Sequence, residues 1–236
     1  MDITLTKKPK KPILIEGFPG FGLVGTIASE FLIDHLETEQ IGSLMIDDMH
    51  AMAAIHEGAL VEPLGLFYNK KHNLVILHAI TASTGFEWKL ADALLDICKQ
   101  LQVSEIISLE GVGSAGMKAA SEAFYYTNQE KKKDLLKHIG LKPLKEGIIM
   151  GVTGALLLKA KDIPMCSFFA DTASNLPDSK AAAKIIQALD KYLGLHVDYE
   201  PLLKQAAKFE DKLSGIMEQS QKTSELSEKK KMSYVG

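Results

Sequence analysis

Ile13-Leu14-Ile15-Glu16-Gly17-Phe18-Pro19-Gly20-Phe21-Gly22-Leu23-Val24-Gly25 leads from a short apolar strand, through four glycines in nine residues, into Thr26-Ile27-Ala28-Ser29-Glu30-Phe31-Leu32-Ile33. The order predicts strand, tight turn and helix, the opening unit of an α/β fold. Gly20-x-Gly22-x-x-Gly25 also has the spacing at which a backbone approaches a pyrophosphate at a helix N-terminus. A dinucleotide site wants an acidic residue about 20 positions further on, and Asp47 and Asp48 stand roughly there. Against that reading, Phe18, Pro19 and Phe21 fill the turn with bulk where a phosphate cradle offers small or polar groups. Such a turn suits close strand-to-helix packing or a subunit contact, so Phe18 and Phe21 are expected at an oligomer interface and no cofactor is expected.

Outward from this unit the pattern stays α/β. A strand is expected over 41–47 and a short one over 51–58. Gly65 to Tyr68 and Asn73 to Ile80 flank a polar connection and read as a β-hairpin, which makes the sheet mixed. A helix follows from Phe86 to Leu101, with Leu90, Leu94, Ile97 and Leu101 at helical spacing. Glu105 to Glu110 is the next strand, ending in the second glycine-rich loop, Gly111-Val112-Gly113-Ser114-Ala115-Gly116. An edge strand is expected over 123–127, a lysine-rich helix over 129–139, a third strand-to-glycine transition over 147–154 and a short helix over 155–160. A last core strand over 164–170 and a helix over 178–193 complete the body. Two glycine loops after two strands suggest a shared crevice at the strand ends.

The composition bounds the function. At 236 residues with 46% hydrophobic and 24% charged residues, the chain suits one large domain with an appendage. No apolar run reaches the roughly 18 residues of a membrane span. The N-terminal stretch lacks the apolar core of a secretion signal, so a cytoplasmic location is expected. Cys98 and Cys166 sit in apolar surroundings and suit buried free thiols. All 27 basic residues are lysines and the net charge is −3. Without arginine, the planar fork preferred for phosphate and guanine edges, nucleic-acid binding is disfavoured and phosphate chemistry weakened.

No catalytic constellation emerges. Ser83, Ser108, Ser114 and Ser167 stand in no Gly-x-Ser-x-Gly elbow. Asp47, Asp48, His50 and His56 fit no closed zinc spacing, so no metal is expected. Glu16, Glu57, Glu62, Glu87 and Glu110 lie near predicted element ends, and three or more could converge on one crevice. Trp88, the only tryptophan, suits core or interface packing.

From Glu200 the character changes. Leu202, Ala206, Phe209, Leu213 and Ile216 advance by four, three, four and three residues, an a/d seam over about two heptads that is expected to serve an oligomer interface. Beyond Met217 the chain turns polar, then basic at Lys229-Lys230-Lys231, and should be disordered until it meets a partner. The expected organisation is a flexible N-terminus over 1–11, an α/β core over 12–199, an amphipathic helix over 200–217 and a flexible docking tail over 218–236.

Taken together, Ile15 to Gly25, the hairpin through Leu77 and Leu109-Glu110-Gly111-Val112-Gly113 resemble the proteasome-assembly-chaperone family with its archaeal homologues, across roughly residues 10–195. The resemblance implies a three-layer α/β/α sandwich with a mostly parallel mixed sheet, similar to nucleoside phosphorylases. It also implies no catalytic activity, self-assembly or pairing with a paralogue, and docking onto the α subunits of the 20S proteasome. Family members often dock through a C-terminal hydrophobic-Tyr-any tripeptide. Here Tyr234 is third from the end and Ser233 precedes it, so Met232, Tyr234, Val235 and Gly236 together are the expected partner-binding residues. The alternative is a nucleotide- or nucleoside-binding enzyme that uses the glycine-rich loops as a ligand crevice.

Overall fold

The computed structural model describes residues 2–46, 49, 52–56, 58–81, 84–113, 122–172, 176–204 and 215. In chain order the elements are β1 (Asp2–Leu5), β2 (Ile13–Gly17), a 3-10 turn (Phe21–Leu23), α1 (Val24–His35), β3 (Glu39–Met45), β4 (Ala54–His56), β5 (Ala59–Val61), β6 (Leu64–Asn69), β7 (Leu74–Ala79) and α2 (Glu87–Leu101). There follow β8 (Glu105–Gly113), β9 (Ala123–Thr127), a second 3-10 turn (Glu130–Lys132), α3 (Lys133–His138), β10 (Lys142–Pro143), α4 (Gly151–Lys159), β11 (Met165–Thr172), α5 (Ser179–Leu193) and α6 (Glu200–Lys204).

Among the described residues, nine strands form one mixed sheet in the order β1-β3-β6-β7-β2-β8-β11-β9-β10, and β4 pairs with β5 in a separate hairpin. β2 runs parallel to β7 and to β8, and β8 parallel to β11. The flanking pairs β1 with β3, β3 with β6, β6 with β7 and β11 with β9 are antiparallel. Parallel pairing holds the centre of the sheet, where helices cover both faces and strands read as continuous apolar runs, and returns at the edge in the two-residue pair of β10 with β9.

Alternation along the strands builds two cores. Ile15, Ile107, Leu109, Cys166 and Phe168 face α1 and α5, while Leu14, Val75, Leu77, Ile106 and Met165 face α2 and α4. This is a three-layer α/β/α sandwich. Helix α5 starts where Asp178 accepts a hydrogen bond from the Ala181 N–H (2.9 Å) and stops at Gly194, whose φ of 64° supplies the left-handed cap. Both cysteines are buried and free, and burial pushes the Cys98 thiol up to about 12.

The opening turn is packed at backbone distance. A Cβ on Gly17 would lie 2.1 Å from the Gly25 carbonyl oxygen, and one on Gly25 would lie 2.3 Å from that of Leu109. Helix α1 thus rests directly on β2 and β8. Gly22 takes φ 62° so that the chain can reverse into the helix, and its carbonyl accepts from the Asp178 N–H at 2.8 Å.

Several expectations need correction. Asp2–Leu5 is no flexible leader but an edge strand, whose alternating half-buried residues Ile3 and Leu5 pack beneath β3. Residues 147–150 are not a strand: the run pairs with no strand among the described residues, and Ile148 and Met150 are 89% and 67% exposed. An apolar run bounded by glycines has the composition of a strand, yet α4 begins at Gly151 and leaves it outside the sheet. Phe18 is 3% exposed and belongs to the core beside α2, so it cannot be a subunit contact, whereas Phe21 is 40% exposed. Leu202 is 2% exposed and packs on its own domain beside α5, so it too leaves the expected seam. Ala206, Phe209, Leu213 and Ile216 lie outside the described residues.

Gly17→Val should cost about 3 kcal/mol or more, or abolish folding, because the nearest obstacle is backbone that cannot yield. Gly215→Ala, with nothing within 4 Å of its added Cβ, should be neutral or slightly stabilising. Thermal melts of the two variants beside the parent chain check the contrast.

Candidate functional site

After β2 the chain leaves through α1 towards the β3 side of the sheet, and after β8 it leaves towards β9 on the other. Divergence of neighbouring connections opens a crevice at the carboxyl ends of the strands. The crevice here is a cleft of about 1410 Å³, walled on one side by Pro19 to Phe21 and Gly111 to Gly113 and on the other by residues 142–152. Its rim is apolar at Phe21, Phe124, Ile148 and Met150.

At the floor, two acidic side chains meet. Glu16 of β2 is fully buried, and Glu110 of β8 is only partly so and lines the cleft. Thr153 of α4 stands between them, its Oγ1 3.1 Å from Glu16 Oε1 and 3.0 Å from Glu110 Oε2. A hydroxyl has one proton, so it donates to one of these oxygens and must accept from the other. Both contacts are satisfied only when one carboxyl is protonated, and the electrostatics agree. Burial raises Glu16 to about 7, against the nearby Ser108 hydroxyl, Thr153 and the Phe18 N–H, which favour the charged form. Burial, then the charge of Glu16, raises Glu110 to about 8, against Thr153. At neutral pH the pair shares a proton.

The floor also holds spare hydrogen-bonding capacity. Glu16 pairs in register with Ser108, and Ser108 with Ser167, so the three point to the same face. Glu16 Oε2 and the Ser167 hydroxyl are buried without a partner, and the Ser108 hydroxyl, near enough to Glu16 to favour its charged form, makes no bond of good geometry. Unpartnered buried polar atoms are uncommon in folded proteins.

This arrangement decides against a pyrophosphate on the glycine turn. A Cβ on Gly20 would lie 2.1 Å from Glu110 Oε1. The opening that glycine leaves in the turn is occupied by a carboxyl group, whose charge has the wrong sign for a phosphate.

Of the five candidate glutamates, Glu16 and Glu110 converge and Glu87 lines the same cleft. Glu62 instead accepts from Gln40 Nε2 at 2.7 Å on an exposed surface. Asp47, Asp48, His50, Glu57, Ser83 and Ser114 lie outside the described residues, as do Met232, Tyr234, Val235 and Gly236. Ser108 and Ser167 are fully buried and serve the floor. Trp88 is half-exposed on α2, with Lys159 Nζ 5.5 Å from its ring centroid. Among the described residues no group of three or more His, Cys, Asp or Glu could hold a metal ion. Thr153, which couples the acids, carries no motif and is found only by folding α4 over the sheet.

A second polar group also escapes the sequence. Ser29 Oγ lies 3.1 Å from His78 Nδ1, and His78 Nε2 lies 3.8 Å from Glu30 Oε2. The order mimics a hydrolase line-up, but Ser29 is fully buried and its hydroxyl donates to the Thr26 carbonyl at 3.0 Å. It ties α1 to β7.

A sequence model of the PAC2 family matches residues 14–217. The chain is 32% identical to Pyrococcus furiosus PbaA, an archaeal homolog of proteasome-assembly chaperone, covering 94% of this chain and 98% of that one with a TM-score of 0.84. Pyrococcus furiosus PbaB, an archaeal proteasome activator, shares the fold with a TM-score of 0.75 at 24% identity, over 91% of this chain and 98% of that one. An uncharacterized protein of Methanocaldococcus jannaschii, MJ0106, is 29% identical over 96% of this chain and 94% of its own length.

The acid pair sets a pH dependence of stability. Both groups titrate higher in the folded chain than the ordinary carboxyl value of 4.5. The unfolded chain therefore ionises first, and the contribution of the protonated pair, complete below pH 4.5, is lost as pH rises through about 7 and 8. Between pH 5 and pH 9 the parent should lose on the order of 6 kcal/mol relative to the Glu16→Gln/Glu110→Gln double variant. Urea midpoints at pH 5, 7 and 9 check it; parallel curves would mean that the pair is ionised throughout.

Proposed function

Because the chain belongs to the PAC2 family, we propose that it is a non-enzymatic, homo-oligomeric proteasome assembly chaperone or regulator that docks on the α-ring of the 20S proteasome through its C-terminal tails. The observation that carries this reading is the similarity to PbaA, which runs over 94% of the chain, beside a family model whose match, residues 14–217, takes in the glycine turn. The absence of arginine and the charge of −3 support a protein partner over a nucleic acid. Among the described residues no helix is long and apolar enough to cross a membrane, which agrees with work in the cytoplasm.

The docking element is the segment 218–236, with Met232, Tyr234, Val235 and Gly236 at its end. Several weak tails on one oligomer bind through effective concentration, each engagement raising the chance of the next. Self-assembly, with itself or with a paralogue, draws on exposed apolar side chains. Phe21 is one. Ile55 and Leu60 face each other across the β4–β5 hairpin, 79% and 69% exposed, a pair that a monomer gains nothing by leaving in water. Ala206, Phe209, Leu213 and Ile216, which recur in the sequence by three, four and three residues, are the second proposed contact.

Deleting 229–236 should weaken binding to purified α-rings at least tenfold while leaving the thermal melt unchanged; undiminished binding would reject the tail as the docking element. Ile55→Asp/Leu60→Lys and Phe209→Asp/Leu213→Lys should each shift the sedimentation coefficient towards that of a 25.8 kDa monomer. A variant with the parental profile removes its surface from the interface.

A further inference from the structure

We infer that the cleft between the glycine turn and residues 142–152 is a binding site for a primary amine carried on an apolar body, with the ammonium group seated against Glu110 and the body between Phe21 and Met150. Nothing in the docking reading requires such a ligand.

The cleft is larger than the several hundred Å³ of an ordinary small-molecule site, with mainly apolar walls and a few convergent polar groups at one end. Those groups are carboxyls. Glu110 opens onto the cleft, and Glu16 stands behind it across Thr153, fully buried and with Oε2 unpaired. The cavity admits the apolar body, and the Glu110 carboxyl that lines it calls for a hydrogen-bond donor.

The sign of the ligand's charge follows from the surroundings. Glu87 on α2, Asp171 on β11 and Glu146 face the same cleft, against two lysines, Lys142 and Lys145. Lys142 is already engaged, its Nζ 2.8 and 2.9 Å from the two carboxyl oxygens of Glu122. An anion would meet unfavourable charge at the floor and find no free planar cation to hold it. A neutral donor would leave the acid pair sharing its proton. An ammonium group changes the balance: it donates charge-assisted hydrogen bonds and favours ionisation of both carboxyls. Binding then releases the proton the pair held, and Thr153 donates to whichever carboxylate the ligand leaves open. Affinity should rise as pH climbs through the range in which Glu16 and Glu110 titrate, and fall only when the amine itself loses its proton near pH 10.

The test is isothermal titration of the full chain with 2-phenylethylamine, with 2-phenylethanol and 3-phenylpropionate as its neutral and anionic analogues, and with a capped Leu-Lys-Leu peptide. At pH 7.5 the amine should bind at least tenfold more tightly than the alcohol, and the acid should not bind. Heats in buffers of different ionisation enthalpy should show proton release, and affinity should increase from pH 6 to pH 8. Glu110→Gln, verified as folded by its thermal melt, should weaken the amine at least tenfold; Thr153→Val should alter the proton release more than the affinity at pH 9. If the peptide matches the amine, the ligand's source is a lysine side chain; if it does not, a free amine. Equal binding of amine and alcohol, preference for the acid, an unaffected Glu110→Gln variant, or no binding of any probe at millimolar concentration would each overturn the assignment.

Discussion

Everything in this fold is positioned by one backbone contact. Gly17 at the end of the central strand, Gly25 in the first turn of α1 and the Leu109 carbonyl on the next strand meet with no room for a side chain between them. That contact brings the helix onto β2 and β8 together, and the same closeness admits the Phe21 carbonyl above Gly111, where a Cβ would come within 2.0 Å of it. The sheet can then carry α1 and α5 on one face and α2 and α4 on the other, with the carboxyl ends of β2 and β8 left open between diverging connections.

The opening so created is unusual in what it exposes. A glycine turn at a helix start normally offers N–H groups to an anion. Here Glu110 of the neighbouring strand projects into the space over Gly20, and Glu16 is buried behind it across the two hydrogen-bond contacts of Thr153. Two carboxyls at a buried site cannot both ionise without a large desolvation and repulsion cost, so the site holds a proton of its own at neutral pH. A motif that spells a phosphate cradle has become an acidic, proton-sharing floor, through residues 94 positions apart in the chain.

The outer surface has a different character. Ile55, Leu60, Ile148 and Met150 stand largely in water, while the core beneath them is complete on both faces. Apolar area left outside a finished core is the normal condition of a chain that meets partners. This is compatible with a family whose relatives are linked by name to proteasome assembly and activation.

Periodicity and glycine placement in the sequence alone determined the α/β class, the β6–β7 hairpin, α2, α5 and the close-packed turn, because each is written in contacts between residues near in the chain. They also marked Glu16, Glu57, Glu62, Glu87 and Glu110 as a set of which three or more could converge, without saying which. Only the tertiary structure decided that Asp2–Leu5 joins the sheet edge, since an edge strand is defined by the partner it finds, here Met45 to Gly42. The same holds for Ile148 and Met150, whose strand-like composition ends in no pairing because the chain turns into α4 at Gly151, and for Phe18 and Leu202, whose apolar side chains look identical in sequence whether they face a partner or their own core. Thr153 is the clearest case. Nothing in Gly151-Val152-Thr153-Gly154 foretells a bridge between two acids, because the bridge exists only once α4 has been laid across strands that begin more than 40 residues before it.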